Sequence, residues 1–352
     1  MCDDRLTGRS RPIRSPVNCR LPLAVFLSGL GLTSCTGVQS ALDPAGSEAE
    51  AVATLFWAMV AGGGVIWLIV VGAVIYASRL KKKPMSERGA SRVIFFGGVA
   101  FPVVVLAFLL AYAVWLMPAM RPWFGGEGEG LRRIEVTAEQ YWWRVRYLDS
   151  TGAVVRETAN EVHMPVGERV LFLLKAKDVI HSFWIPSIGG KMDAIPGRTN
   201  ALQLEATRPG TYRGVCAEFC GTAHALMAFS VQALEPQAFE DWLAARHREV
   251  PVVSVEPVVS GQPRGLNLFL RHGCGSCHAI SGTPADGALG PDLTAFGSRP
   301  TVAAGTLPNT PENLARFIQY PDAIKPGVRM PGFTMLPAAD VSAIALYLKG
   351  LE

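Results

Sequence analysis

Two thiols, two imidazoles and a thioether stand in this chain at spacings that could hold a metal. His181 lies in Asp178-Val179-Ile180-His181-Ser182-Phe183-Trp184. Further on comes Cys216-Ala217-Glu218-Phe219-Cys220-Gly221-Thr222-Ala223-His224-Ala225-Leu226-Met227. Sulfur and imidazole donors together favour copper over magnesium or calcium. A mononuclear blue-copper site needs one cysteine, two histidines and a weak methionine. A second cysteine is present here, so two coppers can share two bridging thiolates. Such a rigid shared cage spreads one electron over both metals and keeps geometry change on oxidation small, which suits fast electron transfer. The same residues also admit a Cys216–Cys220 disulfide with incidental His and Met, or a zinc site.

A second constellation is Cys274-Gly275-Ser276-Cys277-His278. C-x-x-C-H reads as c-type haem attachment: two thioethers fix the porphyrin and the adjacent imidazole becomes an axial ligand of the iron. A distal methionine would raise the potential. Met330, in Arg329-Met330-Pro331-Gly332, is preferred over Met335, which core packing explains equally well. His163 and His272 have no ligand partners at recognisable spacing, and His272 reads as a helix-surface residue. No Gly-rich phosphate loop, Ser/His/Asp set or paired-carboxylate arrangement is evident.

The elements that must position these groups divide by texture. The 352 residues are 49% hydrophobic and 18% charged, too apolar for an ordinary soluble chain, and a net charge of +4 argues against a nucleic-acid partner. Seven cysteines, three of them scattered early, do not form a disulfide framework. Residues 1–34 read as an export signal, with Arg5, Arg9, Arg11, Arg14 and Arg20 ahead of a short apolar run from Leu21 to Leu32. Leu32-Thr33-Ser34-Cys35 resembles a bacterial lipoprotein box that would place lipid on Cys35; a plain signal peptide is the alternative. Ala51–Ser78 and Val93–Met120 carry no charge and exceed the roughly 20 residues a bilayer core requires. They form an expected transmembrane hairpin over 50–121. The connecting loop 79–92 is basic, opposed only by Glu87, which puts it in the cytoplasm and both chain ends outside.

Short β-rich runs follow: Ile134–Thr137, Trp143–Tyr147, Arg169–Leu174, Ala201–Leu204 and Phe229–Val231. Turn formers separate them, the pattern of a β-sandwich or barrel over 131–248, closed by a helix from Pro236 to Arg248. Residues 249–263, rich in Pro, Val and Ser, read as a linker. Residues 264–352 have helical periodicity at Leu266–Leu270, Pro311–Gln319 and Ala338–Lys349. Val250–Pro263, as a flexible chain, has an r.m.s. reach of about 20 Å. The millimolar effective concentration that results means docking of the last domain need not be tight. Seven Lys/Arg against six Asp/Glu in 264–352 give no strong steering field.

Across Ala51–Ala233 the chain resembles subunit II of the haem–copper cytochrome c oxidases. The hairpin, the run Gln140-Tyr141-Trp142-Trp143, Asp178–Pro186, Lys191–Thr199 and Cys216–Met227 carry the resemblance. It implies a cupredoxin-like barrel in which Cys216 and Cys220 bridge a dinuclear copper centre, CuA. His181 and Met227 would complete one copper, His224 and the main-chain carbonyl of Glu218 the other. The Glu218 side chain would meet a magnesium ion shared with subunit I. The family usually has Trp where Tyr141 stands, so Trp142 and Trp143 join Tyr141 as candidate points where electrons arrive. A Glu that many relatives place at the start of the second span has no counterpart between Val93 and Met120. Residues 264–352 resemble a small all-α class I cytochrome c, with Gly290-Pro291-Asp292-Leu293 midway and the haem motif on a first helix. The fusion resembles oxidases that carry their own cytochrome c. It implies a terminal respiratory oxidase in a bacterial cytoplasmic membrane, with subunits I and III as partners. Donors would be a quinol–cytochrome c reductase or a soluble cytochrome c, and proton translocation would accompany dioxygen reduction in subunit I. The alternatives are the input subunit of a CuA-containing nitric oxide reductase, or a stand-alone anchored electron carrier.

Overall fold

The computed structural model describes residues 36–80, 84–117, 130–245 and 262–351. The signal segment, Cys35 and most of the expected linker lie outside them. Helices α1 (Ser47–Arg79) and α2 (Glu87–Leu116) are long and apolar enough to cross a membrane. Pro102 in α2 lacks an amide hydrogen and its ring crowds the preceding turn, and a wide π-turn over Phe96–Ala100 directly precedes it. The top of α1 is keyed into the β domain. Ala45 N donates to Ser187 O (2.6 Å), Ala49 N to Ile188 O (3.3 Å), and buried Glu48 meets Arg169 at 3.2 Å.

Ten strands build two five-stranded sheets: β1 (Arg132–Glu139), β2 (Trp142–Leu148), β3 (Val154–Ala159), β4 (Glu161–Pro165), β5 (Arg169–Ala176), β6 (His181–Trp184), β7 (Met192–Ala194), β8 (Asn200–Glu205), β9 (Gly210–Cys216) and β10 (Ala228–Leu234). The orders are β3-β2-β1-β5-β8 and β4-β10-β9-β6-β7, antiparallel except for β1–β5 and β4–β10. Inward-facing Trp143, Phe172, Phe183 and Phe229 fill the space between the sheets in edge-to-face and stacked contacts. All five expected strands are present, each longer by two to four residues. Five more were not anticipated: β3, β4, β6, β7 and β9. Helix α3 runs Pro236–Ala244, short of the expected Arg248, with description ending at residue 245.

The C-terminal module has α4 (Gln262–Arg271), α5 (Pro311–Gln319), the single turn α6 (Pro321–Ile324) and α7 (Ala338–Lys349). Its core centres on Phe269, Leu314, Ile318, Ile344 and Leu348. Three features depart from expectation. The Cys274–Ser276 turn is a separate 3-10 turn after α4, broken from it by Gly273 in the left-handed region (φ +77°), so the haem motif does not lie on the helix itself. A small hairpin, β11 (Thr301–Val302) with β12 (Leu307–Pro308), interrupts the helical texture. His272 is half-buried rather than a helix-surface residue, and its Nε2 is enclosed without a hydrogen-bond partner.

Candidate metal and haem sites

The sulfur ligands meet where β6, β9 and β10 come together. Antiparallel pairing sets Phe183 of β6 opposite Cys216 of β9, while Cys216 N donates to Met227 O (2.9 Å) and Ala217 N to Ser182 O (2.9 Å). These bonds close the 216–227 loop on itself. Cys216 Sγ and Cys220 Sγ lie 3.9 Å apart as free thiols, which excludes the disulfide reading for this structure. Around them, His181 Nδ1 is 3.8 Å from Cys216 Sγ, His224 Nδ1 3.6 Å from Cys220 Sγ, and Met227 Sδ 3.8 Å from Cys220 Sγ. The main-chain carbonyl of Glu218 is 3.2 Å from Cys216 Sγ. All six groups proposed from the sequence converge. The Glu218 carboxylate instead points outward, 4.0 Å from Lys191 Nζ, and shares a shallow surface hollow with Asp193 and exposed Phe219.

Asp178 organises this cluster. It accepts from His181 Nε2 at 3.0 Å and from Gln140 N at 2.7 Å, so Nδ1 of the imidazole is the nitrogen turned to the sulfurs. Burial pushes the Asp178 carboxyl up, but its hydrogen bonds from His181, Gln140 and Val179 outweigh this and hold it below the usual carboxylate range. The hydrogen bond between the two thiols draws Cys216 down and holds Cys220 up, which favours a thiolate at Cys216.

The second site is a cavity of about 370 Å³ lined by Cys274, Cys277, His278 and Met330 together with apolar side chains such as Phe269 and Leu348. Burial lowers the pKa of His278. Its Nδ1 donates to Pro291 O at 2.8 Å, leaving Nε2 free for a metal. Gly290 permits this ring position, since a Cβ there would stand 2.6 Å from His278 Cε1. A deep apolar slot with two thiols, one oriented imidazole and one thioether fits a covalent haem. Met335 is outside the wall and 74% exposed.

Of the three aromatics, Trp143 is fully buried in the barrel core, its ring edge-on to His181 at 6.1 Å. Tyr141 and Trp142 instead line the haem-sized cavity, as does Gln140. Gln140 Nε2 donates to Cys220 O (2.7 Å), and the Tyr141 hydroxyl accepts from Thr222 N (3.1 Å). One residue layer therefore separates the two sites. Sequence reasoning missed Gln140 and Asp178 as positioning groups, although both lie in quoted motifs. It also missed Glu161, Arg299 and Lys325, which carry no local signal.

Comparisons with known proteins identify the families of both modules. Residues 130–234 match the family described as cytochrome c oxidase subunit II, periplasmic domain, and residues 263–352 match the cytochrome c family. A cytochrome c oxidase subunit 2 of Alkalihalophilus pseudofirmus is 35% identical over 349 residues, covering 94% of this chain and 96% of the relative. The Bacillus subtilis protein of that name is 35% identical over 238 residues, 65% of this chain and 64% of the relative. Among solved structures, the periplasmic domain of subunit II of cytochrome oxidase from Bradyrhizobium japonicum is 31% identical, covering 32% of this chain and 90% of that one, with a TM-score of 0.30.

Proposed function

The chain belongs to the family of cytochrome c oxidase subunit II, with a cytochrome c domain at its C-terminal end, and from that premise we propose that it is the electron-input subunit of a terminal respiratory oxidase. The observation that carries this reading is the thin wall between its two sites, where Gln140 touches the copper loop and the haem cavity at once. Bound there, a covalent haem c and a dinuclear copper centre supply one-electron carriers between an outside donor and subunit I, where dioxygen is reduced.

The chain's own residues divide the remaining work. Cys216 and Cys220 would bridge the coppers, with His181 and Met227 on one and His224 and the Glu218 carbonyl on the other. Cys274 and Cys277 would attach the haem, and His278 and Met330 would be its axial ligands. Asp178 holds the His181 ring; Pro291 O holds that of His278. Tyr141 and Trp142, set in the wall, are the preferred aromatics for electron arrival. The outward Glu218 carboxylate is the candidate for magnesium shared with subunit I. The hairpin of α1 and α2 would anchor both redox modules outside a bacterial cytoplasmic membrane, beside subunits I and III, with Cys35 lipidated. Proton translocation belongs to the same proposal.

Purified complex should contain two coppers and one covalent haem c in this subunit, with a mixed-valence copper EPR signal distinct from blue copper. Zinc, or a single copper per chain, would sink the dinuclear reading.

A further inference from the structure

Three cationic side chains are buried among the described residues: Arg144, Arg299 and Lys325. Two of them face acids. Arg144 meets Glu139 at 3.1 Å and Glu157 at 2.6 Å, and Arg299 stands 3.9 Å from Glu161. Lys325 is different. It is 2% exposed, and its Nζ donates to two main-chain carbonyls, Leu226 O and Ala303 O, both at 3.0 Å. No carboxylate among the described residues pairs with it. Burial lowers its pKa to about 7, and the Cys220 thiol is the group that opposes this.

The backbone fixes its position. Lys325 N donates to Pro321 O at 2.8 Å, Val328 N donates to Lys325 O at 3.2 Å, and Gly327 N donates to Asp322 Oδ1 at 2.7 Å. The same loop ends at Met330 on the wall of the haem-sized cavity, a wall to which Lys325 also belongs. Leu226, which accepts from the ammonium, directly precedes Met227 on the copper loop. One uncompensated cation therefore stands against both proposed redox sites.

Two carbonyls require only a neutral donor. An amide would satisfy them at a far smaller desolvation cost than an ammonium buried without a counter-ion. The charge itself therefore calls for a use. Each proposed centre takes up one electron on reduction, and a fixed cation in a water-poor wall favours that added negative charge with little screening. We propose that Lys325 is an electrostatic tuning residue, whose buried ammonium stabilises the reduced forms of both the copper and the haem centre and so raises their reduction potentials together. This rests on the electron-input reading and extends it. Because the shift has one sign at both centres, the step between them keeps its driving force, while the onward step to subunit I gives up some of its own.

The test is a potentiometric titration of the full chain in its complex, followed by haem absorbance and by the mixed-valence copper EPR signal. It is run at about pH 6, where Lys325 is charged. Lys325→Met removes the charge and the hydrogen bonds together. Lys325→Gln removes the charge but keeps an N–H donor for the carbonyls. At a fixed applied potential, both variants should lower the ratio of reduced to oxidised form about tenfold at each centre, and about 0.5 M salt should not erase the difference. Parental potentials in both variants would overturn the proposal. So would parental potentials in Lys325→Gln alone, which would assign the effect to hydrogen bonding. Copper and haem contents are measured on the same samples, and Lys325→Gln carries the test where the methionine variant fails to load. Unchanged potentials with full contents strike only the tuning role, whereas a parent lacking copper or haem would strike the electron-input reading and the tuning role with it.

Discussion

The proposed copper site and the proposed haem site place their ligand groups by opposite means. In the β domain, hydrogen-bonded strand ends and a self-closed loop bring four donor groups against one or other of two neighbouring thiols, with sulfur–sulfur and sulfur–nitrogen distances of 3.6–3.9 Å. The barrel core beside them is packed with aromatics and does not depend on the metal for its volume. In the helical module the ligand groups line a cavity of about 370 Å³, and the module's core side chains Phe269, Ile344 and Leu348 form part of its wall. The lesson is that one domain carries its cofactor while the other is completed by it.

The sharpest way to break this contrast is to remove both attachments in turn. The apolar side chains that line this cavity, Phe269, Ile344 and Leu348 among them, would face water without a haem against them, a loss large enough to matter to a domain of marginal stability. Cys274→Ala with Cys277→Ala should therefore abolish haem retention and unfold the helical module, read as lost helical circular dichroism and rapid proteolysis of 262–351. The matching Cys216→Ser with Cys220→Ser should empty the copper site yet leave the near-ultraviolet signature of the Trp143 core intact. A β domain that unfolds with its cysteines, or a helical module that survives without its own, would erase the distinction.

A smaller effect sharpens where the β domain does find its stability. His163 stacks on Trp242 at 3.9 Å between ring centres, and burial, helped by Arg156, lowers its pKa to about 3. The unfolded chain takes up a proton near 6.5, which the native ring refuses until about pH 3. Between those values the unfolded state binds more protons, so stability falls as pH drops from about 6.5 towards 3, by a few kcal/mol at full extent. His163→Phe keeps the stack, cannot titrate, and should flatten the acid limb of a thermal-melt series across this window. An unchanged limb would place acid sensitivity elsewhere.

The smallest change concerns one thioether. Met330→Ala should abolish the weak methionine–iron absorption band at the red end of the oxidised spectrum, while Met335→Ala, at an exposed position, should leave spectrum and stability unchanged. The reverse pattern would reassign the ligand and with it the wall of the cavity.

Strand β1 was legible because Ile134-Glu135-Val136-Thr137 alternates, the mark of a half-buried pleat, and β5 because the short apolar run Val170–Leu174 is bounded by Arg169 and Lys175. Strands β6 and β7 were not, at four and three residues between Pro and Gly, although β6 begins with His181. Strand β9 was hidden by Gly214, a residue that weakens strand patterns. Here its missing side chain is the space that the Phe229 ring occupies, since a Cβ would stand 2.0 Å from that ring. The hairpin at 301–308 was invisible for a different reason: two alanines in left-handed backbone violate local propensity and exist only against the copper loop.

By itself the sequence determined the chemistry: which donors exist, that they are soft, that a haem can be attached, and that two spans precede them. Those are properties of residue type and spacing, which covalent connectivity preserves in any conformation. Only the tertiary structure decided that Trp143 is core while Tyr141 and Trp142 face the haem cavity. It set Met330 on the cavity wall and left Met335 outside it, and it alone brought Lys325 and Arg299 to Leu226 and Glu161. Adjacent aromatics look equivalent in sequence. What separates them is the direction of a side chain and the burial of a charge, both set by long-range contacts that no local pattern encodes.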